Sequence, residues 1–179
     1  MNRPRQRPRH PIAFFAILLA AGCAAGPAPT TVARPFAELG IAHSFSPMPR
    51  IHCSGQPQPA QFDGLAAAGI KDVICLRPLG EDGTGWEEER AKALGLRFVR
   101  LPVKGAPDLT EANVRALDEA LAGSSGATLV CCGSSNRVGA LMALRARQLQ
   151  GKSAEEALAI GKACGLTKLE PQVKELVHR

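Results

Sequence analysis

Short apolar segments alternate with helical segments from residue 49 onward, and this alternation constrains the fold more than any other feature of the sequence. The segments RIHCSGQ, KDVICLRP, LRFVRLPV and ATLVCC predict strands, and a helical stretch separates each one from the next. Neighbouring parallel strands need crossover connections of this length, so the pattern predicts an α/β domain with a largely parallel sheet. The last segment is almost wholly apolar, which is typical of a central strand covered on both faces.

The first 22 residues have the composition of an export leader. Four arginines precede the apolar run IAFFAILLAA, which is too short for a spanning helix, since such a helix needs about 20 apolar residues. The following LAAGC resembles a bacterial lipoprotein cleavage box, in which the cysteine is lipidated and becomes the new N-terminus. We therefore expect a signal peptide over residues 1–22 and a lipidated Cys23. Cleavage by ordinary signal peptidase and a retained anchor are the alternatives.

The segment after this cysteine, through residue 35, is rich in Ala, Pro and Thr and has no helical or strand period. It predicts a flexible tether over residues 23–35, followed by one domain over residues 36–179. Ala24 provides no inner-membrane retention signal of the aspartate type. We expect an exported, periplasmic protein whose lipid anchor lies in the outer membrane rather than the inner one.

Charge and composition argue against several classes of partner. The formal charge of +6 falls to about +2 once the four leader arginines are removed, and the chain has no Tyr and no basic stripe interleaved with aromatics. Nucleic-acid binding is therefore not indicated. The sequence has no metal-ligand spacing and no nucleotide-binding glycine motif, so we expect no metal and no cofactor. His52 has no partner ligand at a suitable spacing and is predicted to be a surface or hydrogen-bonded histidine.

Five cysteines remain besides Cys23: Cys53, Cys75, Cys131, Cys132 and Cys164. Cys75 and Cys164 lie in apolar surroundings and are predicted to be small buried side chains. Cys131 and Cys132 are adjacent at the end of the last predicted strand. In parallel α/β sheets the ligand site lies beyond the carboxyl ends of the strands, so this cysteine pair is placed at the expected site.

The segment GSSNR after the cysteines has the properties of a phosphate-binding loop. Gly133, Ser134, Ser135 and Asn136 are small enough for their backbone amides to converge at a helix N-terminus, where the helix dipole favours an anion. Arg137 supplies a planar pair of donors for two phosphate oxygens. A cysteine in this field would have a lowered pKa and act as a thiolate nucleophile, forming a phosphocysteine.

Longer segments resemble a known family. CSGQPQPAQFDGLAAAGIKDVICLRPLGE, AKALGLRFVRLPV and SSNRVGALMALRARQL resemble the bacterial beta-lactamase-hydrolase-like, phosphatase-like family, which is related to cysteine-dependent tyrosine and dual-specificity phosphatases. The resemblance covers roughly residues 50–166. It implies a phosphatase-like three-layer α/β sandwich, with a central, mainly parallel sheet of about four strands flanked by helices. It also implies an active site at the GSSNR loop and a phosphorylated small molecule or protein as substrate.

Two spacings of cysteine and arginine are possible. Counting from Cys131 leaves five residues before Arg137, as in the phosphatase loop, and counting from Cys132 leaves four. The His-Cys-x-x-Gly-x-Arg pattern of the resembled family makes Cys132 the nucleophile and Cys131 the alternative. Successive strand side chains point to opposite faces, so both cannot face one pocket equally. Ser135 stands where this pattern has glycine, and a positive φ there costs a serine about 1 kcal/mol or more.

A phosphatase also needs an acid to protonate the leaving alkoxide. Asp108, in the turn after the third predicted strand, is the first candidate, although it is equally suited to a turn before a helix that begins at Thr110. Asp82 is a second choice. Arg77 follows the second strand and is expected to pair with an acid of the adjoining loop.

The leading hypothesis is an exported, cysteine-dependent phosphatase that hydrolyses phosphomonoesters. A rhodanese-like sulfurtransferase is the first alternative, because a loop of four residues suits a compact cysteine persulfide. The second alternative is an anion-binding module that keeps the fold without turnover. All three hypotheses share the same fold and the same site residues. Only an assay of the chemistry distinguishes one hypothesis from another.

Overall fold

The computed structural model describes residues 35–179. The predicted signal peptide, the lipidation of Cys23 and the tether through residue 34 lie outside the described residues and stay predictions. The strands are β1 (Phe45–Met48), β2 (Ile51–Ser54), β3 (Ile70–Cys75), β4 (Arg97–Arg100) and β5 (Ala127–Cys131). The helices are α1 (Pro59–Asp63), α2 (Glu87–Ala93), α3 (Glu111–Ala122), α4 (Asn136–Leu149), α5 (Ala154–Ala163) and α6 (Glu170–Val177), with single 3-10 turns at Phe36–Leu39 and Ala106–Asp108.

The strands form one sheet in the order β1-β2-β5-β3-β4. Strands β2, β5, β3 and β4 are mutually parallel, and β5 is central, as predicted. The fold class is therefore confirmed, with one strand more than expected. The extra strand, β1, pairs antiparallel with β2 at the edge of the sheet. It escaped prediction because it contains Pro47, a residue that strands tolerate mainly at edges.

Alternate side chains of the central strands enter two separate cores. On β5, Val130 packs with the helices α3 to α6, whereas Leu129 packs with α1 and α2 on the other face. The same alternation on β3 sends Ile74 to the first core and Val73 to the second. Both faces of the sheet are covered, which gives the three layers expected of a phosphatase-like sandwich.

The helix predicted to begin at Thr110 is present, and α5 also begins with a side-chain cap. The Thr110 hydroxyl accepts a hydrogen bond from the backbone N–H of Asn113 at the start of α3. Ser153 and Glu156 form a reciprocal capping box at the start of α5. Within residues 35–179, none of the helices has both the length and the apolar character needed to cross a membrane.

Helices α4 and α5 pack at very short range through a pair of glycines. A Cβ built on Gly139 would lie 2.2 Å from the backbone nitrogen of Leu166 and 2.6 Å from the carbonyl oxygen of Gly161. No side chain fits there, because both neighbouring atoms belong to backbone. This close approach brings the connection between α5 and α6 against the first turn of α4.

We expect Gly139→Ala to lower the free energy of unfolding by about 1–2 kcal/mol, because overpacking a fixed backbone contact outweighs the gain of about 1 kcal/mol in helix propensity. Thermal or urea unfolding measures the change. Gly105→Ala is the matched control, since no heavy atom lies within 4 Å of a Cβ at that position. A Gly139→Ala variant as stable as the wild type would contradict the packing described.

Candidate active site

The chain reverses between β5 and α4 within four residues, 132–135. Cys132 follows the last residue of β5, and α4 begins at Asn136. Between them Ser135 has φ 61° and ψ −8°, a left-handed conformation. The first intrahelical bond of α4 runs from Gly139 N–H to the Ser135 carbonyl at 2.8 Å, so the amides of the first helical turn have no partner inside the helix.

Ser135 adopts the positive φ at which a glycine was expected. Its side chain is fully buried, and its hydroxyl donates to the carbonyl oxygen of Cys164 at 2.8 Å. Gly165, the residue after Cys164, also has a positive φ, and a Cβ there would lie 2.6 Å from the Cβ of Ser135. The serine thus replaces glycine at a conformational cost, and the hydrogen bond to the end of α5 offsets that cost.

Asn136 ties the loop to the same neighbouring segment. Its Oδ1 accepts hydrogen bonds from the backbone N–H of Thr167 at 2.8 Å, from the Thr167 hydroxyl at 3.2 Å and from the Leu169 N–H at 3.2 Å. The side chains of Ser135 and Asn136 are therefore engaged with the connection between α5 and α6. Their backbone amides, rather than their side chains, are what the loop can offer to an anion.

The two adjacent cysteines have different neighbours. Both are 1% exposed, so burial does not distinguish them. Cys131 lies in the core beneath α1 and α2, in register with Cys75 of β3, and the pKa of its thiol is raised by the contact with Cys75 and by burial. Cys132 lies in the opposite core, and its N–H donates to the Ser54 carbonyl at 3.2 Å.

Arg137 lies close to Cys132. The pKa of its guanidinium is raised chiefly by the hydrogen bond with Glu81, and the nearby Cys132 sulfur contributes to the same shift. A Cβ on Gly133 would be 3.3 Å from Nη2 of this arginine, so the guanidinium lies against the loop. The structure therefore brings Cys132, and not Cys131, together with Arg137.

Glu81 and Val103 hold the guanidinium of Arg137. Nη1 donates to Glu81 Oε1 at 2.5 Å and to the Val103 carbonyl at 2.8 Å, and Nη2 donates to Glu81 Oε2 at 3.0 Å. Arg77 Nε donates to the same Oε2 at 2.8 Å, which confirms that Arg77 pairs with a loop acid. The two guanidiniums, that of Arg137 first, lower the pKa of Glu81 to about 2, so this carboxylate stays ionised at neutral pH.

The two candidate general acids, Asp108 and Asp82, lie in turns. Asp108 accepts the Lys104 N–H at 2.6 Å through Oδ2, and its carbonyl accepts from the Asn113 amide at 2.8 Å. These contacts give it the role of a turn residue, and the turn adjoins the site because Val103 precedes it. Asp82 is exposed, and its carbonyl accepts from Arg77 Nη2 at 2.6 Å.

The histidine and the two other cysteines considered in the sequence are engaged in contacts within the domain. His52 is hydrogen-bonded through Nδ1 to the Ser46 hydroxyl at 2.8 Å and stacks near Phe36, which confirms the expectation of a hydrogen-bonded histidine. Cys75 and Cys164 are fully buried, as predicted. Each therefore belongs to the scaffold of the domain.

Sequence reasoning missed Glu81, Val103 and Gly55 as contributors to the site. A Cβ on Gly55 would lie 3.0 Å from the Gly133 carbonyl, so only glycine lets the SGQP turn approach the loop this closely. The signal for Glu81 was present in LRPLGE, where it stands four residues after Arg77. The signal for the Val103 carbonyl was absent, because a backbone contact leaves no mark in the residue type.

The fold and the site define a phosphatase-like α/β domain in which the loop between β5 and α4 brings Cys132 close to Arg137. The family described as beta-lactamase hydrolase-like protein, phosphatase-like domain, matches residues 45–148, and the chain belongs to this family. The resemblance seen in the sequence is therefore confirmed. A beta-lactamase hydrolase-like protein of Xylella fastidiosa (strain Temecula1) is 36% identical over 121 residues, which is 65% of this chain and 28% of that protein. The chain thus spans less than a third of the length of this relative.

Solved structures share the architecture. The DUF442 protein of Shewanella putrefaciens CN-32 superposes with a TM-score of 0.62 at 22% identity, covering 80% of this chain and 92% of that one. TpbA of P. aeruginosa, solved in complex with pTyr, superposes with a TM-score of 0.53 at 21% identity, covering 74% and 79%. At these identities the likeness establishes the fold.

Two substitutions of Ser135 separate its strain from its hydrogen bond. Ser135→Ala keeps a Cβ at positive φ and loses the bond to the Cys164 carbonyl, so we expect a loss of about 1–2 kcal/mol of unfolding free energy. Ser135→Gly also loses the bond, but it relieves the strain of a Cβ at positive φ. Its free energy of unfolding should therefore exceed that of the alanine variant by about 1 kcal/mol. Urea denaturation measures both values. Equal stability of the two variants would show that the left-handed conformation carries no cost here.

Proposed function

We propose that this protein is a cysteine-dependent phosphatase that hydrolyses phosphomonoesters. The observation that carries the proposal is the placement of Cys132 and Arg137 at the two ends of the loop that leads into α4, with the guanidinium lying against Gly133. A thiol, a two-donor cation and unpaired helix amides are the parts that phosphoryl transfer to sulfur requires. Family membership and the phosphatase-like fold support the same chemistry.

The proposed reaction has two steps. The Cys132 thiolate attacks phosphorus, so that a P–S bond forms while the bond between phosphorus and the ester oxygen breaks. Asp108 gives its proton to the departing alkoxide. Water then attacks the phosphocysteine: a P–O bond forms, the P–S bond breaks, the Asp108 carboxylate takes the proton of the water, and inorganic phosphate leaves with the Cys132 thiolate restored. Arg137 and the amides of the first turn of α4 bind the non-bridging oxygens, whose charge they stabilise throughout.

A cavity lined in part by Arg77 has room for the organic part of a substrate. It measures about 330 Å³ and lies between the SGQP turn and the loop after β3, with Gln56, Arg77 and Trp86 among its lining residues. Arg77 contacts Glu81, which contacts Arg137, so the cavity adjoins the proposed phosphate site. TpbA holds pTyr in its own structure, and an aromatic phosphomonoester is accordingly the first substrate to test here.

The choice of nucleophile is tested with an aryl phosphate. We expect Cys132→Ser to lower kcat by at least about 10³-fold, because the serine hydroxyl is a far weaker nucleophile at neutral pH, and Cys131→Ser to leave most of the activity. The Cys131 variant is the matched control, since it removes a thiol from the adjacent position. Loss of activity in Cys131→Ser alone would transfer the role of nucleophile to that residue.

The same proteins assayed with thiosulfate and cyanide test the sulfurtransferase alternative. Thiocyanate formation that depends on Cys132, without phosphate release, would replace the phosphatase proposal by a cysteine persulfide mechanism. Absence of both activities in a folded protein that still binds a tetrahedral oxyanion would indicate an anion-binding module.

The role of Asp108 as general acid is tested by comparing substrates whose leaving groups differ in their need for a proton. Asparagine can still accept the Lys104 N–H but cannot donate an acidic proton, so Asp108→Asn separates the turn from the chemistry. We expect kcat to fall by about 10²-fold with phenyl phosphate and by much less with 4-nitrophenyl phosphate, whose leaving group needs no proton. An equal effect on both substrates would exclude Asp108 as the acid. Asp82→Asn, assayed in the same way, tests the second choice.

A further inference from the structure

The guanidinium of Arg137 is occupied along two of its three edges. An arginine has five N–H donors. Both donors of Nη1 are used, by Glu81 Oε1 and the Val103 carbonyl, and one donor of Nη2 is used by Glu81 Oε2. Within residues 35–179 this leaves the Nε–H and one Nη2–H, which lie side by side on the remaining edge. That edge is the pair of parallel donors that matches two oxygens of a tetrahedral anion.

Glu81 is itself fixed from the other side. Its Oε2 receives both Nη2 of Arg137 and Nε of Arg77, and Arg77 is held in turn through its Nη2 by the Asp82 carbonyl. The arginine side chains are 13% and 12% exposed, whereas Glu81 is 29% exposed. A carboxylate on a partly exposed loop would otherwise sample several rotamers, and the second arginine restricts it to one.

We propose that Glu81, held by Arg77, is the positioning residue of this site: it clamps the Nη1–Nη2 end of Arg137 and thereby presents the Nε–Nη2 edge to the phosphate. The inference rests on the proposed function for its substrate, but the clamp acts on any tetrahedral oxyanion. Glu81 touches neither the nucleophile nor the substrate in this scheme. It acts through the orientation of Arg137 alone.

The sign of the effect distinguishes positioning from simple charge. Replacing Glu81 by glutamine removes a negative charge next to the anion site, and electrostatics alone would tighten the binding of an anion. Loss of the bidentate clamp releases the guanidinium and weakens binding. The two accounts therefore predict opposite changes in the dissociation constant of the same ligand.

The experiment is calorimetric titration of the full-length protein with inorganic tungstate, together with kcat and KM for an aryl phosphate. We expect Glu81→Gln to weaken tungstate binding by about 10-fold and to lower kcat/KM by about 10- to 100-fold, because small misplacement of a positioning group has effects of this size. Glu81→Asp, which keeps the charge at a shorter reach, should recover part of the loss. Arg77→Lys should produce a smaller loss in the same direction.

Two further variants complete the test. Glu111→Gln weakens an exposed Glu–Arg pair on α3, in which Arg115 donates twice to Glu111 Oε1, and should leave both constants unchanged. In an Arg137→Lys background, Glu81→Gln should cause almost no additional loss, because the clamp has no guanidinium to hold. Tungstate binding by Glu81→Gln that equals or exceeds wild type, or fully additive losses in the double variant, would overturn the proposal.

The outcomes also separate the clamp from the proposed function. A wild-type protein that binds tungstate but hydrolyses no aryl phosphate overturns the phosphatase proposal, and the binding data then decide the clamp by themselves. A wild-type phosphatase whose kcat/KM and tungstate affinity are indifferent to Glu81→Gln overturns the clamp and keeps the function. Failure of wild type to bind tungstate at all would overturn both.

Discussion

Neighbouring side chains of an extended strand point to opposite faces, and at the end of β5 this constraint determines what the site can contain. Leu129 and Cys131 enter the core under α1 and α2, whereas Val130 and Cys132 enter the core under α4. Only the second core borders the start of α4, where Arg137 lies. A one-residue change of register would exchange the two cysteines and place the wrong thiol beside the arginine.

A series of ion pairs and hydrogen bonds extends from the interior of the domain to Arg137. Buried Glu87 pairs with Arg100, and Arg100 Nη1 donates to the carbonyl of Arg77, whose guanidinium holds Glu81 against Arg137. Glu87 balances the charge of Arg100, and Glu81 balances Arg137 and Arg77, so removal of either glutamate would leave a partly buried arginine without its counter-ion. The loop after β3 is thereby fixed at both its backbone and its side chains, although much of it is exposed.

The sequence was sufficient for the parts of the fold that depend on periodicity and on local motifs. The apolar run of β5, the cap at Thr110 and the position of the cysteine–arginine loop are all properties of short segments, and the structure has them where expected. The contacts between distant segments were not predictable in this way. The bond from Ser135 to the Cys164 carbonyl joins residues 29 apart, and the clamp on Arg137 joins residues 56 apart. Such pairs depend on how loops fold over the sheet, and the residue types at either end allow many partners.

In the loop between β5 and α4, the side chains have structural contacts and the backbone amides are what the loop can offer to an anion. This separation explains why Ser135 can stand where a glycine was expected. The side chains of Ser135 and Asn136 bind the connection between α5 and α6, away from the face that an anion would occupy. In the proposed site, recognition of an anion depends on backbone amides, which every residue type except proline supplies, and on the guanidinium of Arg137. A serine at the left-handed position is compatible with this arrangement because its hydroxyl adds an anchor on the outer side while its amide keeps the same direction. The chemistry therefore constrains the backbone conformation at this position more strictly than it constrains the side chain.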